Sequence, residues 1–293
     1  MLQTCLEKRV IAMAAVISIG CLAAESRADL NTGLRNYWAF DDNANDSAGD
    51  YPGTASTVVD NGTFSGANGT AGIAYAPGKF GNGIEQNGAA GANQNDGFVL
   101  VNRSADTLYG STSTVTTSMW VKAAGFDTSW QTMLAHGEGS QYRIARRGED
   151  NVASYAGGSG DIPGSALGPV LLDEAWHHVV AISEGGVSTR LWVDGGLVAT
   201  GDPPTIDDQG NSSPADPNLY IGANPQTGDQ NREWWGGIDD VAQWDRALDE
   251  SEIGLIHSSG VDGISVGQLV PEPSSALLLL LGTLALGRRS RKR

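Results

Sequence analysis

The sequence predicts an all-β protein: a two-sheet antiparallel jelly-roll sandwich with one short helix near its carboxyl end. Three observations carry this. Between about Leu34 and Ile256, short runs of β-branched and aromatic residues recur, separated by Gly, Asn, Asp and Pro, which is the punctuation of many short strands. Several of these runs alternate in polarity with the two-residue period of a strand. No internal repeat of roughly 20–50 residues is evident, which disfavours a solenoid or propeller.

In chain order, STVTTSMWVKA (Ser113 to Ala123) places Val115, Thr117, Met119 and Val121 on one side and Trp120 on the other. In WHHVVAIS, Trp176, His178, Val180 and Ile182 oppose His177, Val179 and Ala181. Both faces of that run are largely apolar, as in a strand in the middle of a packed sheet. TRLWVDGGLVAT reads as a hairpin, with Asp194, Gly195 and Gly196 supplying the positive-φ turn residues. DESEIGLIHS is the one helical segment, with Asp249 as its cap and Glu252 completing a capping box.

The two ends read as address segments. Residues 1–28 have Lys8 and Arg9 ahead of an apolar run from Val10 to Ala24, then small residues to Ala28. This is the pattern of a secretory signal cleaved after Ala28. The run falls short of the ~20 residues of a bilayer span, and a lipoprotein reading at Cys21 lacks the aliphatic residue three places earlier. Both cysteines, Cys5 and Cys21, lie in this leader, so the cleaved chain has no disulfide to use in an oxidising compartment.

At the other end, residues 271–293 hold Pro271, Glu272 and Pro273, an apolar run from Ala276 to Gly287, and a basic finish. A helix of that run reaches only ~18 Å against a hydrocarbon core of ~30 Å. The basic end would be retained on the cytoplasmic side. This arrangement resembles the PEP-CTERM sorting signal. The resemblance implies transient inner-membrane association, processing by an exosortase, and delivery to the cell surface or an extracellular matrix. A plain short tail anchor is the alternative. The expected organisation is therefore a signal peptide (1–28), a jelly-roll domain (29–262), a linker (263–270) and the sorting segment (271–293).

Between Asp29 and Val270 lie 10 basic and 31 acidic residues, giving that span about −21 of charge. Such a surface repels nucleic acid and anionic lipid and attracts cations. Acidity of this kind also serves solubility in salty or calcium-containing surroundings.

The order YWAFDD, GKFGNGIE, STVTTSMWVK, AWHHVVAI, LWVDGGLVATG, NLYIGAN, WGGIDDVAQWDRALDESEI resembles the laminin G-like, concanavalin A-like domains of bacterial surface proteins and pentraxins. That scaffold hosts sugar binders, protein binders, glycosidases and spacers, so it does not fix function. The resemblance implies a structural calcium between an early loop and the final strand. Asp239 matches the final-strand ligand and Asp41 is the nearest early counterpart. Two carboxylates would leave backbone carbonyls and water to complete the six to eight oxygens that Ca²⁺ needs. Without a metal, these aspartates would hydrogen-bond loop amides.

Enzymatic motifs are missing from the sequence. There is no Glu-x-Asp-x-x-Glu strand for a pair of glycosidase carboxylates, no Gly-x-Ser-x-Gly elbow, no zinc spacing and no phosphate loop. For sugar binding, where flat rings stack on pyranose faces, the candidates are Trp130, Tyr142, Trp234 and Trp235, with Asn231 and Arg232 nearby; one of the Trp234–Trp235 pair is expected inside. Trp38, Trp120, Trp176, Trp192 and Trp244 are expected in core or sheet packing. The expected function is a non-catalytic binding module for extracellular polysaccharide or a surface glycan. The alternatives are an adhesive protein-binding domain and a polysaccharide-degrading enzyme of the same fold.

Overall fold

The computed structural model describes residues 30–48, 62–65, 73–86, 97–101, 114–136, 142–158, 160–205, 218–224 and 232–270. The leader with Ala28, the Pro271–Glu272–Pro273 segment and Asn231 lie outside the described residues. Among the described residues, no helix is long and apolar enough to cross a membrane.

In chain order the strands are β1 (Leu34–Trp38), β2 (Gly62–Ser65), β3 (Ile73–Pro77), β4 (Asn82–Gln86), β5 (Phe98–Val101), β6 (Val115–Ala123), β7 (Thr132–His136), β8 (Tyr142–Arg146), β9 (Ala153–Gly157), β10 (Asp161–Ile162), β11 (His177–Glu184), β12 (Ser188–Val193), β13 (Gly196–Gly201), β14 (Leu219–Ile221) and β15 (Gly236–Trp244). They form two antiparallel sheets, as the alternating runs predict. The first has the order β13-β12-β11-β6-β15-β4-β3, with β1 also on β15; the second runs β10-β9-β8-β7-β14-β5-β2.

Two cores result, one on each face of the first sheet. Between the sheets, Val115, Met119 and Val121 of β6 meet Val179 and Ala181 of β11, Tyr142 and Ile144 of β8, and Trp234. On the outward face, Val180, Ile182, Trp192 and Trp244 pack under α1 (Glu250–Val261) through Ile253 and Ile256. β11 is thus apolar on both sides because both sides are covered.

Local signals are realised closely. Asp194 and Gly195 have φ of 51° and 75° and join β12 to β13, the backbone a two-residue hairpin needs; Gly196, expected as a third positive-φ turn residue, instead opens β13 paired with Val193 and is not among the positive-φ residues. The Asp249 carboxylate caps α1 by accepting the Glu252 amide at 2.9 Å, and the Asp249 amide donates to Glu252 Oε2 at 2.9 Å.

The linker expected over 263–270 is corrected. Residues Val266–Leu269 form a short helix, α2, and Val266, Leu269 and Val270 are buried in the outward core beside α1. Its anchor is the Val266 amide, which donates to Asp240 Oδ2 at 3.0 Å.

Candidate functional site

The last strand changes partners halfway along. β4 pairs with Gly236 to Ile238 of β15, while β1 pairs with Val241 to Trp244. The register against β6 shifts between Asp239 and Ala242, and Asp240 has φ of 52°, a left-handed conformation that an L residue adopts at a cost. At this bulge both carboxylates turn to groups the ladder leaves over. Asp239 accepts the Phe80 amide at 2.8 Å and the Asp240 amide at 2.7 Å. Asp240 accepts the Tyr37 hydroxyl at 2.6 Å and the Val266 amide.

Asp41 and Asp239, the expected calcium pair, hold the same β3–β4 turn. Exposed Asp41 accepts the Asn82 amide at 3.1 Å, two residues beyond the amide taken by Asp239. A Cβ at Gly78 would stand 2.5 Å from Asp239 Oδ2, and one at Gly81 would stand 2.1 Å from Asp41 Oδ1. Those two glycines are what allow the carboxylates to close on the turn.

Burial, with the like charge of Asp240, pushes the Asp239 carboxyl up to about 8. Burial, with Asp41 adding to it, pushes Asp240 up to about 6. The Asp239 carboxyl, raised this far, is largely protonated at neutral pH, so a cation there would have to displace its proton. No cluster of three acidic, histidine or cysteine side chains able to hold a metal occurs among the described residues. The side chains offered are Asp41 and Asp239, and backbone carbonyls and water would have to supply the rest.

The four aromatic candidates separate. Tyr142 and Trp234 are fully buried in the inter-sheet core. The Tyr142 hydroxyl donates to Thr117 Oγ1 at 2.7 Å, and Trp234 Nε1 donates to the Gly237 carbonyl at 3.3 Å. Neither ring is offered to a ligand, which corrects that expectation for both, Trp234 being the member of the Trp234–Trp235 pair that packs inside. Trp130 is half-buried at the end of the β6–β7 loop with φ of 61°. The Arg143 guanidinium lies 4.6 Å from its ring centroid and is itself paired with Asp161 at 2.8 Å. Arg143 is on the second sheet, so one face of Trp130 is already in use there.

Trp235 remains half-buried at the opposite end of that loop. Its ring rests against Gly125, where a Cβ would stand 2.6 Å from two ring carbons, and its carbonyl accepts the Ala124 amide at 2.9 Å.

A residue that sequence reasoning assigned to packing is seated on glycine in the same way. Trp176, also half-buried, reaches from the start of β11 across β6 to Gly237, where a Cβ would stand 2.6 Å from ring carbon Cη2. Gly237 pairs with Lys122 on one side and Glu85 on the other, and Lys122 Nζ is 5.4 Å from the Trp176 ring centroid. Two half-buried indoles therefore rest on glycine backbone at the same end of the first sheet, Trp176 on its outward face. The sequence signal was Lys122, which alternates onto the same side of β6 as Trp120.

The histidines are structural in their surroundings. His177 is held between Asp194 at 2.8 Å and Asp173 at 3.0 Å. His178 is buried, bonded to Ser118 Oγ at 2.8 Å and grouped with Trp120 and His257 in a triangle of rings, its centroid 5.2 and 5.9 Å from theirs and theirs 6.0 Å from each other. The Asp194 carboxylate, the largest single cause, raises the His177 pKa, whereas burial lowers that of His178 to about 3.

Residues 93–254 match the family model described as the concanavalin A-like lectin/glucanases superfamily. No curated protein is similar to the chain. Among solved structures, the chain resembles domain 4 of AbnA, an extracellular arabinanase from Geobacillus stearothermophilus, in complex with arabinotriose. The TM-score is 0.54 at 21% identity, over 75% of this chain and 96% of that one. It also resembles the binding domain of Paraclostridial Mosquitocidal Protein 1 (TM-score 0.55, 15% identity, 78% of this chain and 53% of that one). A third is the binding domain of Botulinum Neurotoxin DC in complex with SialylT (0.52, 13%, 79% and 52%). The chain thus spans about half the length of the two toxin chains. At these identities the likeness is one of fold.

Proposed function

The chain belongs to the concanavalin A-like lectin/glucanases superfamily, and from that premise we propose that it is a non-catalytic binding module for carbohydrate. The observation that carries this is the pair of half-buried indoles, Trp176 and Trp235, seated on Gly237 and Gly125. A ring laid on backbone is fixed without side-chain entropy left to lose, and it stacks on the apolar face of a pyranose. Glu85 and Lys122 beside Gly237 supply an acceptor and a donor for hydroxyls. The buried carboxylates support a non-catalytic reading, since Asp239 and Asp240 are spent on backbone amides and a tyrosine hydroxyl. The resemblance of the fold to two toxin binding domains, and to an arabinanase domain in complex with arabinotriose, is in keeping with it.

The proposal includes a setting. The leader directs export, and the Pro271–Glu272–Pro273 segment hands the protein to an exosortase-type enzyme after transient inner-membrane association, leaving it on the cell surface or in a polysaccharide matrix. A structural Ca²⁺ at Asp41 and Asp239 would take the place of the Asp239 proton at the β3–β4 turn. Binding of the purified protein to a polysaccharide panel, compared with Trp176→Ala and Trp235→Ala, tests the module reading; shortening of any polysaccharide overturns the non-catalytic part.

A protein partner is the second reading. It is favoured by Leu167, Val170 and Leu197, each about half exposed around the contact of Gly168 with Val198, because exposed apolar side chains in proximity mark interaction surfaces.

A further inference from the structure

The outward face of the first sheet also carries two cations that no carboxylate pairs among the described residues. Five arginines, Arg35, Arg143, Arg147, Arg190 and Arg246, are held in ion pairs with carboxylates. Arg146 is turned onto the carbonyls of Thr128 and Asp150. Lys79 and Lys122 are the lysines between the two ends of the chain. Neither makes an ion pair among the described residues, and each lies over a tryptophan instead. Lys79 Nζ is 4.5 Å from the Trp120 ring centroid and Lys122 Nζ is 5.4 Å from that of Trp176. Trp120 and Lys122 alternate onto the same outward side of β6, so both lysines lie over the outward face of the first sheet, Lys79 beside a Trp120 ring that α1 buries and Lys122 beside half-buried Trp176. Both lysines are half-buried, with their ammonium heads beside indole rings and no carboxylate paired to either among the described residues.

We infer that this patch selects acidic polysaccharide, with a sugar ring stacked on Trp176 and its carboxylate or sulfate met by Lys122 and Lys79. The inference rests on the reading of this surface as a sugar site and adds the charge of the ligand. In a span carrying about −21, a polyanion is repelled at long range. That repulsion is screened beyond roughly 8 Å at physiological ionic strength, whereas a contact between ammonium and carboxylate is not. The two lysines therefore decide whether an acidic chain can settle. Glu85, across Gly237 from Lys122, accepts from hydroxyls and keeps a second acidic group from that side.

The test is affinity electrophoresis and calorimetry of the purified protein with polygalacturonate and alginate, each beside its carboxyl-reduced, neutral form. The expected result is binding to an acidic polymer, about tenfold weaker for its reduced form and for the Lys79→Gln/Lys122→Gln double variant. Trp176→Ala abolishes it. Equal binding of acidic and reduced polymers, or of neutral glycans alone, overturns the charge preference and leaves the sugar reading standing. Binding to no glycan of either kind overturns both. An acidic polymer bound undiminished by the double variant places the anion elsewhere and overturns the assignment.

Discussion

The indole of Trp176 lies so close to the backbone of Gly237 that a Cβ there would stand 2.6 Å from Cη2. Glycine at 237 is therefore required by the ring and not by its own backbone, since it is not among the positive-φ residues. Gly237→Ala is expected to lift the indole and weaken sugar binding by about tenfold, with the chain still folded. Calorimetric titration beside a circular dichroism melt checks both parts.

The tryptophan pair before β15 should divide by role. Trp234 is wholly buried between the sheets, so Trp234→Ala is expected to cost about 3–5 kcal/mol in denaturant unfolding. Trp235→Ala, losing a half-buried ring, should cost less than about 2 kcal/mol and yet lose glycan binding. The reverse pattern would move the site off Trp235.

The neighbouring histidines should titrate in opposite senses. Contacts with Asp194 and Asp173 raise His177 above its ordinary 6.5. Its contribution to stability is thus fully present below 6.5 and is lost as pH rises through the higher folded value. His178, lowered to about 3 by burial, contributes stability present above 6.5 that is lost as pH falls toward 3. Ring proton shifts followed by NMR should show a His177 midpoint above 6.5 and a flat His178 response between about pH 5 and 8. His177→Gln should remove the loss of stability on the alkaline side.

Asp239 and Asp41 grip one turn with unequal force. Asp239→Ala leaves two buried amides unpaired, at about 1–3 kcal/mol each. Asp41→Ala frees one amide at an exposed site that water can satisfy, for less than about 1 kcal/mol. If calcium completes the pair, chelation lowers the melting temperature of the unsubstituted protein and not that of Asp239→Ala. An unchanged melting temperature in chelator removes the metal.

Much of the architecture was legible because its signals are local. Asp194-Gly195 specifies its hairpin, Asp249 and Glu252 specify the start of α1, and alternation in β6 separates Met119 from Trp120 correctly. What could not be read depends on distant partners. Tyr142 and Trp234 read as ring platforms because the residues that close over them between the sheets come from other strands. Residues 263–270 looked like a linker because their packing comes from α1 and from an anchor at Asp240. Trp176 looked like packing because the glycine beneath it belongs to β15.

The most direct test of the central claim is binding of the purified protein to a polysaccharide panel, with product analysis on the same samples and Trp176→Ala/Trp235→Ala as the comparison. A glycan bound by the original chain, released by the double variant at unchanged fold and recovered at full length, is the expected result. Binding that survives loss of both indoles, or a polymer returned shortened, contradicts it.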